Sequence, residues 1–143
     1  MIWKAREIDL SQIQVGSSVS FDVYVDTTLV ERFASLSGDY SPLHLDVKYA
    51  RQSGYDQCVV HGMLMASYFS AIVGMFLPGK SALLISQEIE YIYPVPVNNT
   101  LTVSGKVKKC RPALSLLVIN MMVIWGGLVV VRGEICAKAR KTT

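Results

Sequence analysis

Apolar and polar residues alternate strictly over positions 18–25, with Val19, Phe21, Val23 and Val25 set against Ser18, Ser20, Asp22 and Tyr24. That period of two predicts a strand with one face in a core and the other in water. Asp26, Thr27 and Thr28 then offer caps for a helix whose apolar positions Leu29, Val30, Phe33 and Leu36 run up to Gly38. Positions 47–54 read as a short polar helix closed by Gly54. From 63 to 76 the chain is apolar almost all round, with the small residues Ala66, Ser67, Ser70, Ala71 and Gly74 among Met, Leu, Tyr, Phe and Ile. Such a helix must be buried on most sides. Pro78 and Gly79 end it, and strands are predicted over 83–93, 101–109, 114–125 and 128–137.

One buried helix followed by consecutive antiparallel strands, with an earlier strand to complete the sheet, predicts an α+β fold in which the sheet wraps the helix. That is a hot-dog architecture. Its sheet edges need cover, and pairing two copies edge to edge supplies it, so a homodimer (a dimer of hot dogs) is expected. Residues 113–131 carry no formal charge and reach the length of a membrane-spanning helix, about 20 residues. Gly126 and Gly127, flanked by Val123, Ile124, Val129 and Val130, instead signal a two-residue hairpin between two buried strands, so no membrane partner is expected.

A length of 143 residues with 51% apolar composition suits one domain, 1–143, with an N-terminal extension over 1–15 and a flexible tail over 138–143. Fourteen basic against eleven acidic residues give a net charge of only +3, too mild to argue for nucleic acid. The surplus lies late, at Lys106, Lys108, Lys109, Arg111, Arg132, Lys138, Arg140 and Lys141. It reads either as solvated strand ends or as a site for a phosphate-bearing small molecule. Cys58, Cys110 and Cys136 are odd in number and far apart, which fits neither a disulfide framework nor a zinc pattern, so no metal is expected. The early charges Lys4, Arg6 and Glu7 are unlike a signal peptide, and a cytoplasmic location follows.

Candidate chemistry gathers in Ser37-Gly38-Asp39-Tyr40-Ser41-Pro42-Leu43-His44-Leu45-Asp46. Gly38 can turn the chain and Pro42 disfavours helical geometry at Ser41, which predicts a shaped loop aiming Asp39 and His44 at one point. The plainer reading makes Asp39 a cap and His44 an ordinary half-buried histidine. A second run, Val59-Val60-His61-Gly62-Met63, lies where the buried helix begins and unpaired N–H groups carry partial positive charge. A glycine in that first turn, Gly62, would let a substrate oxygen reach the backbone N–H. His61 reads as structural.

These two runs, with Gln87-Glu88-Ile89-Glu90-Tyr91 and Pro94-Val95, resemble the MaoC-like, (R)-specific enoyl-CoA hydratases, whose usual signature is Gly-Asp-x-Asn-Pro-Leu-His-x-Asp. The resemblance covers nearly the whole chain from about Phe21 onward. It implies a catalytic dyad of Asp39 and His44, with Gly62 N–H on the thioester carbonyl and Ser70 and Val73 lining an acyl tunnel. Gly38, Ser41, Pro42 and His61 support the motif. Ser41 stands where the family usually has asparagine, and a hydroxyl reaches less far than an amide, so the support of the dyad differs here.

The activity implied is cofactor-free addition of water across a trans-2-enoyl thioester of CoA or an acyl carrier protein, or the reverse dehydration of an (R)-3-hydroxyacyl thioester. Asp39 and His44 would act as base and acid on one water, with Gly62 holding the enolate-like oxygen. Two other readings keep the fold: a hot-dog acyl thioesterase, and a non-catalytic subunit that binds acyl thioesters within a heterodimer.

Overall fold

The computed structural model describes residues 4–140. In chain order its main elements are β1 (Ser18–Val25), α1 (Thr27–Ser37), α2 (Pro42–Leu45), α3 (Val47–Gln52), α4 (Gly62–Ala71), β2 (Ala82–Tyr91), β3 (Asn99–Arg111), β4 (Leu116–Trp125) and β5 (Leu128–Ala139). The strands form one antiparallel sheet in the order β1-β3-β4-β5-β2, folded about α4 in the hot-dog arrangement expected. Val19, Phe21, Val23 and Val25 of β1 turn towards the core while Ser18, Ser20, Asp22 and Tyr24 stay exposed, as their alternation requires. The Asp26 carboxylate accepts the Leu29 N–H at 2.8 Å and caps α1.

The uncharged segment 113–131 enters the sheet as β4 and the start of β5, joined at Gly126 and Gly127, both in the left-handed region. Among the described residues no helix is long and apolar enough to cross a membrane. The core centres on Phe69 and Ile72 against Leu101, Leu117, Ile119, Met121 and Ile135, all buried. Helix and sheet come so close at β3 that a Cβ on Gly105 would lie 2.6 Å from Ile72 Cγ2, which leaves glycine as the residue that fits.

Several expectations are corrected. The helix expected over 63–76 is α-helical only to Ala71 and continues as a π-helical turn, Ile72–Phe76. Most of its sides are buried, as expected, while Met63, Ser67 and Ser70 are exposed along one face. The last residues are not a flexible tail throughout: β5 runs to Ala139 and Arg140 N–H bonds to Ser81 O at 2.9 Å. Lys141 and the rest of the expected tail lie outside the described residues. In the N-terminal extension, Leu10 and Ile13 are buried in the core. Of the late basic residues, Lys108 pairs with Glu134 and Arg132 with Glu90, which favours solvated strand faces at those two positions.

Candidate active site

The signature run does not stay a loop. Gly38 closes α1 in the left-handed region, and Pro42 starts the single turn α2, which carries His44. The difference follows from Pro42 itself: it holds Ser41 extended but is well suited to a first helical position. Asp46 then caps α3, its carboxylate accepting from Lys48 and Tyr49 N–H. Asp39 lies between α1 and α2 with its side chain 51% exposed, and its Oδ1 accepts the Ser41 N–H at 3.1 Å. This bond comes from the backbone of Ser41, whose side chain makes no capping bond, so it survives the exchange of asparagine for serine.

His44 is set from behind. Its Nδ1 lies 2.6 Å from the Val59 carbonyl, which can only accept, so the proton is on Nδ1 and the Nε2 lone pair is free to act as a base. His61 caps α4 and is 1% exposed. Its Nε2 donates to the Asp39 carbonyl at 3.0 Å and stands 3.9 Å from the Asp39 carboxylate. The two imidazoles stack with centroids 3.8 Å apart. Gly62 opens α4, so its N–H points out of the helix without an intrahelical acceptor. A Cβ there would meet the Tyr91 ring at 3.0 Å, and the Tyr91 hydroxyl donates to Met63 Sδ at 3.1 Å. The missing side chain is thus filled by Tyr91.

Asp39, His44 and His61 each offer a ligand atom within 4.8 Å of the others. His61 Nε2 holds its proton against the Asp39 carbonyl and His44 Nδ1 holds its proton against the Val59 carbonyl, so neither of these nitrogens offers a lone pair to an ion. Such a set suits proton transfer better than metal ligation. Ser70 lies on the open face of α4, and Val73 is buried with the core cluster. Sequence reasoning gave no role to the Val59 carbonyl or the Tyr91 ring. A backbone carbonyl leaves no mark on the sequence, whereas the glycine at 62 was a signal that some ring or ligand needed the space.

Burial disfavours the charged form of His61 and lowers its pKa below the ordinary 6.5; the neighbouring His44 acts the same way, and the bond to the Asp39 carbonyl and the Asp39 charge oppose. The unfolded chain therefore takes up this proton more readily than the folded one. Stability from this site is full above pH 6.5 and falls as the pH drops below it. Urea midpoints at about pH 7.5 and about pH 5.5 should fall more for the wild type than for His61→Gln, which cannot titrate; equal falls would refute this.

An antiparallel sheet wrapped round one helix defines a hot-dog protein, here with an acid and an imidazole gathered at the helix mouth. The chain belongs to the MaoC-like domain family, whose model matches residues 11–116. It is 32% identical over 127 residues to the (R)-specific enoyl-CoA hydratase of Aeromonas caviae, covering 88% of this chain and 95% of that one. The solved structure of the A. caviae (R)-hydratase covers 90% of this chain and 98% of its own at a TM-score of 0.87. A 3-hydroxybutyryl-CoA dehydratase of Methylorubrum extorquens is 27% identical over 141 residues, 99% of this chain and 90% of that one. An R-hydratase structure from Pseudomonas aeruginosa, 27% identical, covers 96% of this chain and 89% of its own at a TM-score of 0.90.

Proposed function

We propose that this chain catalyses hydration of trans-2-enoyl thioesters to (R)-3-hydroxyacyl thioesters, and the reverse dehydration, as a cytoplasmic homodimer joined along β2. The observation that carries the chemistry is the cluster of Asp39, His44 and His61, whose ligand atoms lie within 4.8 Å of one another; Gly62 follows His61 as the first residue of α4, with an N–H that has no intrahelical acceptor. The names of the relatives support the same substrates, acyl thioesters of CoA or of an acyl carrier.

In the hydration direction Asp39 and His44 hold one water. Its oxygen bonds to the β-carbon while one of its protons passes to His44 Nε2, and the Asp39 charge stabilises the imidazolium. The electron pair of the double bond moves to the thioester oxygen, where Gly62 N–H, helped by the α4 dipole, stabilises the enolate. Collapse of the enolate takes a proton from the dyad to the α-carbon and restores the starting state. All atoms come from substrate and water. Purified protein should convert a short trans-2-enoyl-CoA, and with a carrier-bound equivalent the faster substrate names the carrier. Release of free CoA thiol without hydrated product would sink this reading in favour of a thioesterase.

The dimer rests on β2. It is an edge strand on which Leu83, Leu84 and Ile85 are 49%, 44% and 51% exposed, and its ladder groups on the free side need a partner. The exposed Met63, Ser67 and Ser70 face of α4 would be covered by the same association, closing an acyl pocket that includes Ser70. Sedimentation equilibrium should give twice the 15.8 kDa chain mass, with Ile85→Lys shifting it to the monomer; a monomeric wild type would refute the dimer.

A further inference from the structure

We infer that His61 is the positioning residue of this site, tying the Asp39 backbone to one edge of its ring and carrying the His44 ring on its face. This rests on the hydratase reading above and goes further, since that reading uses only Asp39, His44 and Gly62. Among the described residues His61 is the one polar side chain in the buried class. Its Nε2 bond to the Asp39 carbonyl leaves Nδ1 as a lone pair, and Nδ1 has no partner among the described residues. A buried acceptor without a partner is unfavourable, and an apolar ring would fill the same space without that cost. Folding alone therefore does not explain an imidazole here.

The connections of the dyad do explain it. Asp39 sits on an exposed link whose other bonds are local, from Asp39 N–H to Ser37 Oγ and from Ser41 N–H to Asp39 Oδ1. The His61 bond spans 22 positions and fixes that link to the start of α4. His44 stacks on the same ring at 3.8 Å with 28° between planes, and Phe33 of α1 lies 5.0 Å from it, tilted by 58°. The segment 59–62 thus sets every part: the Val59 carbonyl fixes the His44 tautomer, His61 fixes Asp39 and the His44 face, and Gly62 presents its N–H. Val60 N–H in turn bonds to Val95 O at 2.8 Å, which anchors this segment. A neutral His61 also spares the imidazolium formed on His44 a like charge stacked against it.

Two substitutions separate the two connections. His61→Phe keeps a ring face and loses the donor; His61→Gln places an amide donor near the position of Nε2 and loses the ring. With a short trans-2-enoyl-CoA and the intact chain, kcat should fall about 10²-fold in His61→Phe, the order expected when a reacting group is misplaced, with KM little changed. His61→Gln should recover about tenfold of that loss by restoring the donor. A wild-type kcat in His61→Phe, or a loss confined to KM in both variants, overturns the inference. If His61→Phe does not fold, a wild-type kcat in His61→Gln overturns it equally. One readout needs no turnover: the His44 imidazole resonances should shift and broaden in His61→Gln, and an unmoved His44 signal overturns the inference. A wild type without hydratase activity would instead sink the hydratase reading, while that shift would still uphold the positioning role.

Discussion

Asp39→Asn and His44→Ala should each lower kcat for enoyl thioester hydration by about 10²–10⁴-fold, the range for loss of a positioned acid or base, while the protein stays folded. The two act differently. His44→Ala removes the Nε2 lone pair that the Val59 carbonyl fixes in place. Asp39→Asn keeps an oxygen to accept the Ser41 N–H but removes the negative charge beside the imidazole. Because the Asp39 side chain is half exposed and His44 only partly buried, neither change should alter the melting temperature by more than a few degrees, the effect of about 1 kcal/mol. If the pair works as a unit, the double variant should be hardly slower than the worse single one. Full activity in either single variant, measured on folded protein, would remove the dyad.

Phe69→Ala should bring the largest loss of stability, about 3–5 kcal/mol, because removal of a buried ring loses both its transfer from water and the packing around the cavity. Phe69 is fully buried on the inner face of α4, within the core cluster that includes Leu101, Ile119 and Ile135. Set against a total stability of about 5–15 kcal/mol, that could leave the protein barely folded at room temperature. Ser70→Ala, one position along and exposed, should stay within about 0.5 kcal/mol. Urea unfolding of the pair measures which face of α4 meets the sheet; similar midpoints would show that the helix is turned differently.

Local pattern was legible wherever the cause was local. The alternation over 18–25, the Asp26 cap and the Gly126-Gly127 hairpin each depend on neighbours within a few residues, and each forms at its expected place. The hairpin shows why period matters more than hydropathy: length and lack of charge alone would have allowed a membrane helix over 113–131. Asp39, His44 and Gly62 could be named for a similar reason, since two short runs contain them and the family signature assigns them roles. Which ring nitrogen of His44 carries the proton was not legible there, because the Val59 carbonyl that fixes it on Nδ1 is distant in sequence.

What could not be read shares one cause, long-range placement. That β2 falls at the sheet edge beside β5 is set by the strand order, and strand order is a property of pairing, not of any strand's own residues. Val73 lies within the π-helical turn that continues α4, and it is buried in the core cluster. Ser41 looked like the odd residue of the signature, yet the bond it gives Asp39 is made by its N–H, which any residue but proline supplies.

The sequence by itself determined the strands and the longer helices, the acid, the imidazole and the glycine at the helix mouth, since each is written in residue types at short spacing. Only the tertiary structure decided how they work together. It stacked His44 on His61, bound His61 to the Asp39 carbonyl and laid Tyr91 over Gly62. The physical reason is that imidazole chemistry depends on which nitrogen carries the proton, and that is settled by backbone carbonyls which every residue possesses and no sequence pattern marks.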